Sequence, residues 1–126
     1  MIRSMLAVVA AALAWVFVAT ALNLALRFGW HDYAAAEPGM TFTLSMMLAR
    51  LLLGVLASLA AGLVASLIAK GSKWPVCVAA ILLLAAFIPV HYNLWARFPA
   101  WYHLFFLASL VVFSYLGGAI RWRYSK

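Results

Sequence analysis

The chain has 126 residues, of which 70% are apolar, 15% aromatic and only 9% charged. A soluble domain carries about 25% charged and about 45–50% apolar residues. The composition therefore excludes a water-soluble monomer and leaves an integral membrane protein of one domain. The net charge of +7 does not predict nucleic-acid binding, because the nine basic residues are scattered, mostly at the ends of apolar segments.

Four apolar runs, taken in chain order, predict four transmembrane helices. A helix needs about 20 residues to cross the roughly 30 Å of hydrocarbon in a bilayer. The runs cover about residues 4–26, 41–69, 75–95 and 100–120, and none shows the alternation of a membrane strand. Because the connections are short, consecutive helices are expected to pack antiparallel. The predicted fold is an all-α membrane protein, an antiparallel four-helix bundle with up-down-up-down topology.

The distribution of basic residues predicts how the bundle is oriented. Cytoplasmic loops of membrane proteins are enriched in lysine and arginine. The two outer loops hold Arg27 and Arg97 together with both acidic residues, Asp32 and Glu37. The N-terminus, the second loop and the C-terminus hold six basic residues: Arg3, Lys70, Lys73, Arg121, Arg123 and Lys126. Both termini are therefore predicted to be cytoplasmic.

The second span carries a stripe of small residues at four-residue spacing, Gly54, Ser58, Gly62 and Ser66. Helices in lipid associate through close backbone approach, and small residues permit it. The first span offers a matching set of alanines, including Ala7 and Ala11. The stripe predicts helix packing within the chain. The alternative is a face for a second copy or for another membrane protein.

Arg50 lies four residues before Gly54, so it continues the stripe and is expected to point into the bundle. A charge at the centre of a membrane costs about 2.5–3.5 kcal/mol, so we expect Arg50 to have a partner. The candidates are Asp32, Glu37 and the backbone carbonyls that Pro89 frees in the third span. Residue counting places further polar side chains in the same outer third, beneath the loop that holds His31, Asp32 and Glu37: Asn23, Arg27, His91, Asn93 and His103.

This polar cluster has four possible roles. It is a structural network that holds the first loop, a site centred on Arg50 for an anionic ligand, lipid head group or quinone, or a contact with a partner protein. The fourth role is metal or haem ligation by His91 and His103, which the twelve positions between them disfavour. No metal or cofactor is predicted. No catalytic residues are predicted either, because both acids lie in one loop and no nucleophile motif is present.

The segment from Pro89 to Trp95, continued from Phe98 to His103, resembles runs in uncharacterised small four-span bacterial inner-membrane proteins. This resemblance implies a multi-pass protein of the bacterial inner membrane and implies no activity. With no catalytic chemistry and a close-packing stripe, the sequence predicts a non-enzymatic accessory or scaffolding subunit of a larger membrane complex. The alternative is a homo-oligomeric channel or carrier for a small anion or lipid-like solute that uses Arg50. A haem- or metal-binding redox subunit is a third possibility.

Overall fold

The computed structural model describes residues 2–70 and 72–124, and within these ranges the chain is helical without strands. The helices are α1 (Ile2–Gly29), α2 (His31–Ala36), α3 (Leu44–Ile68), α4 (Trp74–Asn93) and α5 (Ala100–Tyr124). Single 3₁₀ turns follow α2 and α4, at Glu37–Gly39 and Trp95–Arg97. Four of the helices, α1, α3, α4 and α5, are long and apolar enough to cross a membrane, as the four apolar runs predicted.

The helix ends differ from the predicted ends by a few residues, each for a local reason. α3 begins at Leu44 because Thr43 caps it, its side-chain oxygen accepting the backbone N–H of Met46 at 3.4 Å. α4 ends at Asn93, where a 3₁₀ turn replaces the last predicted helical residues. α5 continues to Tyr124, four residues beyond the predicted end. The predicted basic residue at position 126 lies outside the described residues, as do the side chains at positions 123 and 124.

The four long helices do not pack simply in chain order. α3 packs most extensively against α5 and then against α1, whereas α4 packs mainly against α5 and α1. α3 and α4 are joined by a short loop, yet α3 contacts α4 far less than it contacts α5. A short loop therefore does not make α4 the main packing partner of α3. The two glycines of the α3 stripe, Gly54 and Gly62, lie against α5.

The contact between α3 and α5 brings two backbones together through glycine. Gly54, Ser58, Gly62 and Ser66 are all buried. A methyl group on Gly62 would overlap the carbonyl oxygen of Ser114 and lie 2.7 Å from its carbonyl carbon. A methyl group on Gly117 would likewise lie 2.9 Å from the carbonyl carbon of Leu59. The stripe predicted from the sequence thus packs within the chain, with Gly54 and Gly62 against α5 and Ser58 accepting a hydrogen bond from Trp15 of α1.

The loop between α1 and α3 folds over one end of the bundle. Its helix α2 places Tyr33 in a site where the side chain is 0% exposed. The Tyr33 ring stacks on Phe42 at a centroid distance of 5.3 Å, Phe42 stacks on Phe98 at 6.0 Å, and Phe98 stacks on Tyr102 at 4.6 Å. This row of aromatic rings connects α2 to α5. Aromatic pairs of this kind add about 0.5–1.5 kcal/mol each beyond the area they bury.

Candidate functional site

Under this loop, polar side chains from α1, α2, the following 3₁₀ turn, α3 and α5 form one hydrogen-bonded group. We call it the polar network. Its members are Asn23, Arg27, Tyr33, Glu37, Arg50 and Tyr102.

The polar network contains a continuous chain of hydrogen bonds from α3 to α1. Arg50 Nη1 donates to the Tyr33 hydroxyl at 2.8 Å, and that hydroxyl donates to Asn23 Oδ1 at 2.6 Å. Asn23 Nδ2 donates to Glu37 Oε2 at 2.8 Å, and Arg27 Nε donates to Glu37 Oε1 at 2.7 Å. Tyr33 therefore uses its hydroxyl both as acceptor and as donor. Each hydrogen bond holds the next side chain in position, because a buried polar group without a partner costs free energy.

Arg50 has partners other than those expected from the sequence. Its Nε donates to the Tyr102 hydroxyl at 3.2 Å, and its guanidinium carbon lies 4.7 Å from the centre of the Phe42 ring. In the part of the chain that the structure describes, no carboxylate lies within ion-pair distance of Arg50, and Glu37 pairs with Arg27 instead. The guanidinium thus contacts neutral hydroxyls and a ring, and its charge has no counter-ion in contact.

Glu37 is the acidic member of the polar network and lies outside the four long helices. The hydrogen bond from Arg27 is the main reason that the pKa of this carboxyl is lowered from its usual value, and the bond from Asn23 lowers it further, although partial burial opposes both. Glu37 is consequently ionised at neutral pH. Its charge is balanced by Arg27 at 2.7 Å.

The polar network forms one end of a cavity of about 440 Å³ between the helices. Pockets for small molecules in proteins have volumes of about 300–1,000 Å³. The polar end presents Asn23, Arg27, Glu37, Arg50 and Tyr102. The rest of the wall is mostly apolar and is made by Trp15, Ala19, Thr20, Leu24, Leu53, Phe87 and Phe106. The cavity is thus amphipathic, with a cationic polar end and a hydrocarbon-like body.

The polar end offers hydrogen-bond donors that the protein does not use. A guanidinium has five N–H donors. Among the residues that the structure describes, Arg50 uses two of the five, towards Tyr33 and Tyr102, which leaves three. The Tyr102 hydroxyl accepts from Arg50 and donates to no described residue. A ligand that matches this end has to supply acceptor atoms, and a negative charge is favoured because Arg50 is unpaired.

His91 and His103, predicted as candidates from separate spans, form a hydrogen-bonded pair beside the cavity. Their Nδ1 atoms lie 2.6 Å apart, and the side chains are 6% and 0% exposed. His103 Nε2 lies 3.3 Å from the backbone oxygen of Trp95. Because a carbonyl only accepts, His103 donates from Nε2. In a neutral ring its Nδ1 then accepts, and His91 donates from Nδ1.

The geometry of this histidine pair is that of a hydrogen bond. Two nitrogens bound to one tetrahedral zinc ion, at about 2.0–2.1 Å each, stand about 3.3 Å apart, which is wider than the 2.6 Å between these two Nδ1 atoms. In residues 2–70 and 72–124, no group of three or more His, Cys, Asp or Glu side chains could hold a metal ion. His91 and His103 are twelve residues apart in the sequence, yet their rings meet because they lie on α4 and α5, which a short turn joins.

Two polar residues expected as site candidates, Asp32 and Asn93, lie outside the polar network. They are exposed, as is His31 of the same loop, and the three side chains make no hydrogen bond to any described residue. Asp32 precedes Tyr33 on α2, and neighbouring helical residues do not share a face, so the buried Tyr33 leaves Asp32 outside. The sequence interpretation also missed the role of Tyr33 and Tyr102, which were not among the predicted site candidates. The signal available for both was that a buried tyrosine hydroxyl needs a hydrogen-bond partner.

No protein-family model, no curated protein and no solved structure matches this chain. Its function is therefore inferred from the cavity and the side chains that line it.

Proposed function

We propose that this chain is a multi-pass protein of the bacterial inner membrane, with up-down-up-down topology and both termini in the cytoplasm. Large apolar side chains are exposed on every long helix, as lipid contact requires; examples are Phe17, Leu52, Ile81 and Leu104. The topology is supported by contacts that join the end of α1 to the start of α3 through α2, and the end of α4 to the start of α5. The orientation follows from the basic residues of the second loop and the termini.

Reporter fusions test this topology. Fusions placed after Gly29, Lys73, Arg97 and Lys126 are expected to report outside, inside, outside and inside in that order, because basic residues are retained in the cytoplasm. A periplasmically active phosphatase and a cytoplasmically active fluorescent protein at the same four positions give complementary signals. Any other order contradicts the topology.

The proposed activity is non-catalytic binding of an amphiphile with an anionic head group in the cavity, as in a carrier for a lipid-like solute. The observation that carries this proposal is the state of Arg50, which lines the cavity without a carboxylate partner. Unpaired charges inside membrane proteins are expensive to maintain, and they are typical of ligand or ion pathways. A bound oxyanion would accept hydrogen bonds from the three free N–H groups of Arg50 and would neutralise its charge.

The two tyrosine hydroxyls favour a ligand over a purely structural role for Arg50. They hold the guanidinium from two sides, through Nε and Nη1, at 3.2 and 2.8 Å. The remaining Nη2 group and one Nη1 hydrogen are left without an acceptor in the described residues. A network that served only to hold the loop would be better satisfied with Glu37 at Arg50, where two opposite charges would meet in an ion pair with two parallel hydrogen bonds.

Replacing Arg50 with methionine tests this proposal. Purified protein in mild detergent is titrated with phosphatidylglycerol and, separately, with zwitterionic phosphatidylethanolamine, and binding is measured by native mass spectrometry. Hydrogen bonds to a charged group contribute about 1.5–3 kcal/mol, so we expect phosphatidylglycerol affinity to fall by roughly 10- to 150-fold in R50M.

Arg97→Met is the matched control. Arg97 carries the same charge at the same end of the bundle but is exposed and has no partner among the described side chains. We expect R97M to bind phosphatidylglycerol as the unchanged protein does. Equal affinities for R50M and R97M would contradict the proposal, and so would equal affinities of the unchanged protein for the anionic and the zwitterionic lipid.

The role of accessory or scaffolding subunit, expected from the sequence, stays a prediction. The small-residue stripe that suggested a partner face is buried within the same chain, against α5 and Trp15 of α1. Affinity purification in mild detergent tests this prediction, with a stoichiometric larger protein as the expected result.

A further inference from the structure

The cavity reaches the side of the bundle as well as its polar end. Thr20 and Leu24 of α1 line the cavity and are also exposed, Leu24 by 39% of its surface. On the other side of the cavity Phe87 of α4 forms the wall, and α1 packs less extensively on α4 than on α3. We call the edge formed by Thr20, Leu24 and Phe87 the side opening.

The depth of the side opening places it among lipid tails. Thr20 lies nine residues before Gly29, the last residue of α1. At a rise of 1.5 Å per residue, this distance is about 14 Å along the helix axis. If α1 crosses the bilayer, the opening faces hydrocarbon, because the apolar layer is about 30 Å thick. A molecule that passes through it comes from the membrane and not from water.

The charges at the polar end specify the charge of the ligand. Arg27 and Glu37 form an ion pair at 2.7 Å and neutralise each other. Arg50 then leaves one net positive charge in the cavity wall. A head group with a single negative charge balances it, whereas a doubly charged phosphate monoester would leave an uncompensated negative charge beside Glu37. Buried charges without compensation are strongly unfavourable.

The apolar body of the cavity has the chemistry of a hydrocarbon chain. Below Arg50 the wall consists of Ala19, Leu53, Phe87 and Phe106, with Trp15 donating its indole N–H to Ser58 at 3.1 Å. The hydrogen bond of Trp15 leaves its ring as an apolar surface. An acyl or isoprenoid chain that leaves the head group can therefore continue along this wall to the side opening.

From these observations we propose that the ligand is a phosphodiester lipid with one negative charge, which enters and leaves sideways through the side opening. This inference rests on the proposed function, since it requires that Arg50 binds a head group. It adds that the ligand carries one negative charge, that it has a hydrocarbon chain, and that it passes through the side opening. The alternative source of the same oxyanion chemistry is a water-soluble phosphodiester without a chain, which would reach Arg50 from the aqueous end.

The experiment blocks the side opening and compares a lipid with its soluble head-group analogue. Thr20→Trp fills the opening from α1, and Leu24→Trp is a second variant that narrows the same edge. Ala21→Trp is the matched control, because Ala21 is exposed on the same turn of α1 and does not line the cavity. Binding and release of radiolabelled phosphatidylglycerol are followed over time in micelles, with competition by dimethyl phosphate.

We expect T20W and L24W to slow both the binding and the release of phosphatidylglycerol at least tenfold, because a blocked route raises the barrier in both directions, and A21W to change these rates less than twofold. In the unchanged protein, dimethyl phosphate should compete only at concentrations at least a hundredfold above those of the lipid. The inference is overturned if T20W and L24W bind and release the lipid at the normal rates while R50M does not, or if dimethyl phosphate competes as well as the lipid. Either result would leave unchanged the proposal that Arg50 binds an anionic group. If the unchanged protein binds neither ligand, the proposed function fails as well.

Discussion

Gly62→Ala is expected to destabilise the bundle by about 3 kcal/mol or more, because its methyl group has no room between α3 and α5. The added carbon would overlap the backbone oxygen of Ser114 and lie 2.9 Å from the backbone nitrogen of Gly118. Overpacking inside a well-packed core typically costs about 1–3 kcal/mol, and more where rigid groups collide. A backbone cannot rotate away as a side chain can. α3 and α5 would have to separate along their whole contact.

The measurement is the free energy of unfolding in mixed detergent micelles titrated with SDS, followed by the far-ultraviolet circular dichroism of the helices. Gly54→Ala and Gly29→Ala form a graded control series. A methyl group on Gly54 would first meet the side-chain ring of Phe106, at 3.0 Å, and one on Gly29 would meet no atom within 4 Å. We expect a small effect at Gly54 and none at Gly29. A G62A protein as stable as G29A would show that α3 and α5 do not approach as described.

The sequence predicts the close-packing face of α3 better than it predicts which helix packs against that face. Four apolar runs and a stripe at four-residue spacing specify long helices and one close-packing face, since both follow from local periodicity. Which helix meets that face depends on a complementary position elsewhere in the chain. Gly117 provides it on α5, but a pair of glycines near the end of a span carries little signal on its own. The sequence pointed to the alanines of α1 as the matching set, whereas the two glycines of the stripe lie against α5.

The candidate site was predicted in part. Residue counting placed Arg50 on the inner face and placed His91 and His103 at the same end of the bundle, and the structure brings the two rings to 2.6 Å. The partner of Arg50 could not be deduced, because opposite charge favoured Glu37 while the fold of the loop decided otherwise. α2 turns Tyr33 inwards and leaves Glu37 within reach of Arg27. Whether Tyr33 or Glu37 reaches Arg50 depends on the path of the fourteen residues between α1 and α3, and no local sequence pattern encodes that path.

The same loop links stability to the proposed binding. Arg50 is held by two hydroxyls, and both tyrosines belong to the row of stacked rings that runs from α2 to α5. The orientation of the guanidinium is therefore set before any ligand arrives, and pre-organised groups lose less entropy on binding. A change that loosens this row should weaken the fold and the anion site together, even where the charge of Arg50 is retained.

Tyr33→Phe separates these effects by removing one oxygen and leaving the ring. The hydroxyl of Tyr33 accepts from Arg50 at 2.8 Å and donates to Asn23 at 2.6 Å, and the residue is 0% exposed. Its loss leaves one charged donor and one amide oxygen without partners. A hydrogen bond to a charged group contributes about 1.5–3 kcal/mol and a neutral one about 0.5–1.5 kcal/mol. We expect Y33F to lower the free energy of unfolding by about 2–4 kcal/mol.

Tyr92→Phe is the control, since it makes the same chemical change at a residue that is 81% exposed and has no hydrogen-bond partner in the described chain. SDS titration should show Y92F unfolding as the unchanged protein does. Phosphatidylglycerol affinity should fall in Y33F and not in Y92F, because Arg50 loses the contact that orients Nη1. If Y33F matched Y92F in both stability and affinity, water in the cavity would be replacing the hydroxyl, and Arg50 would be positioned by Tyr102 and Phe42 alone.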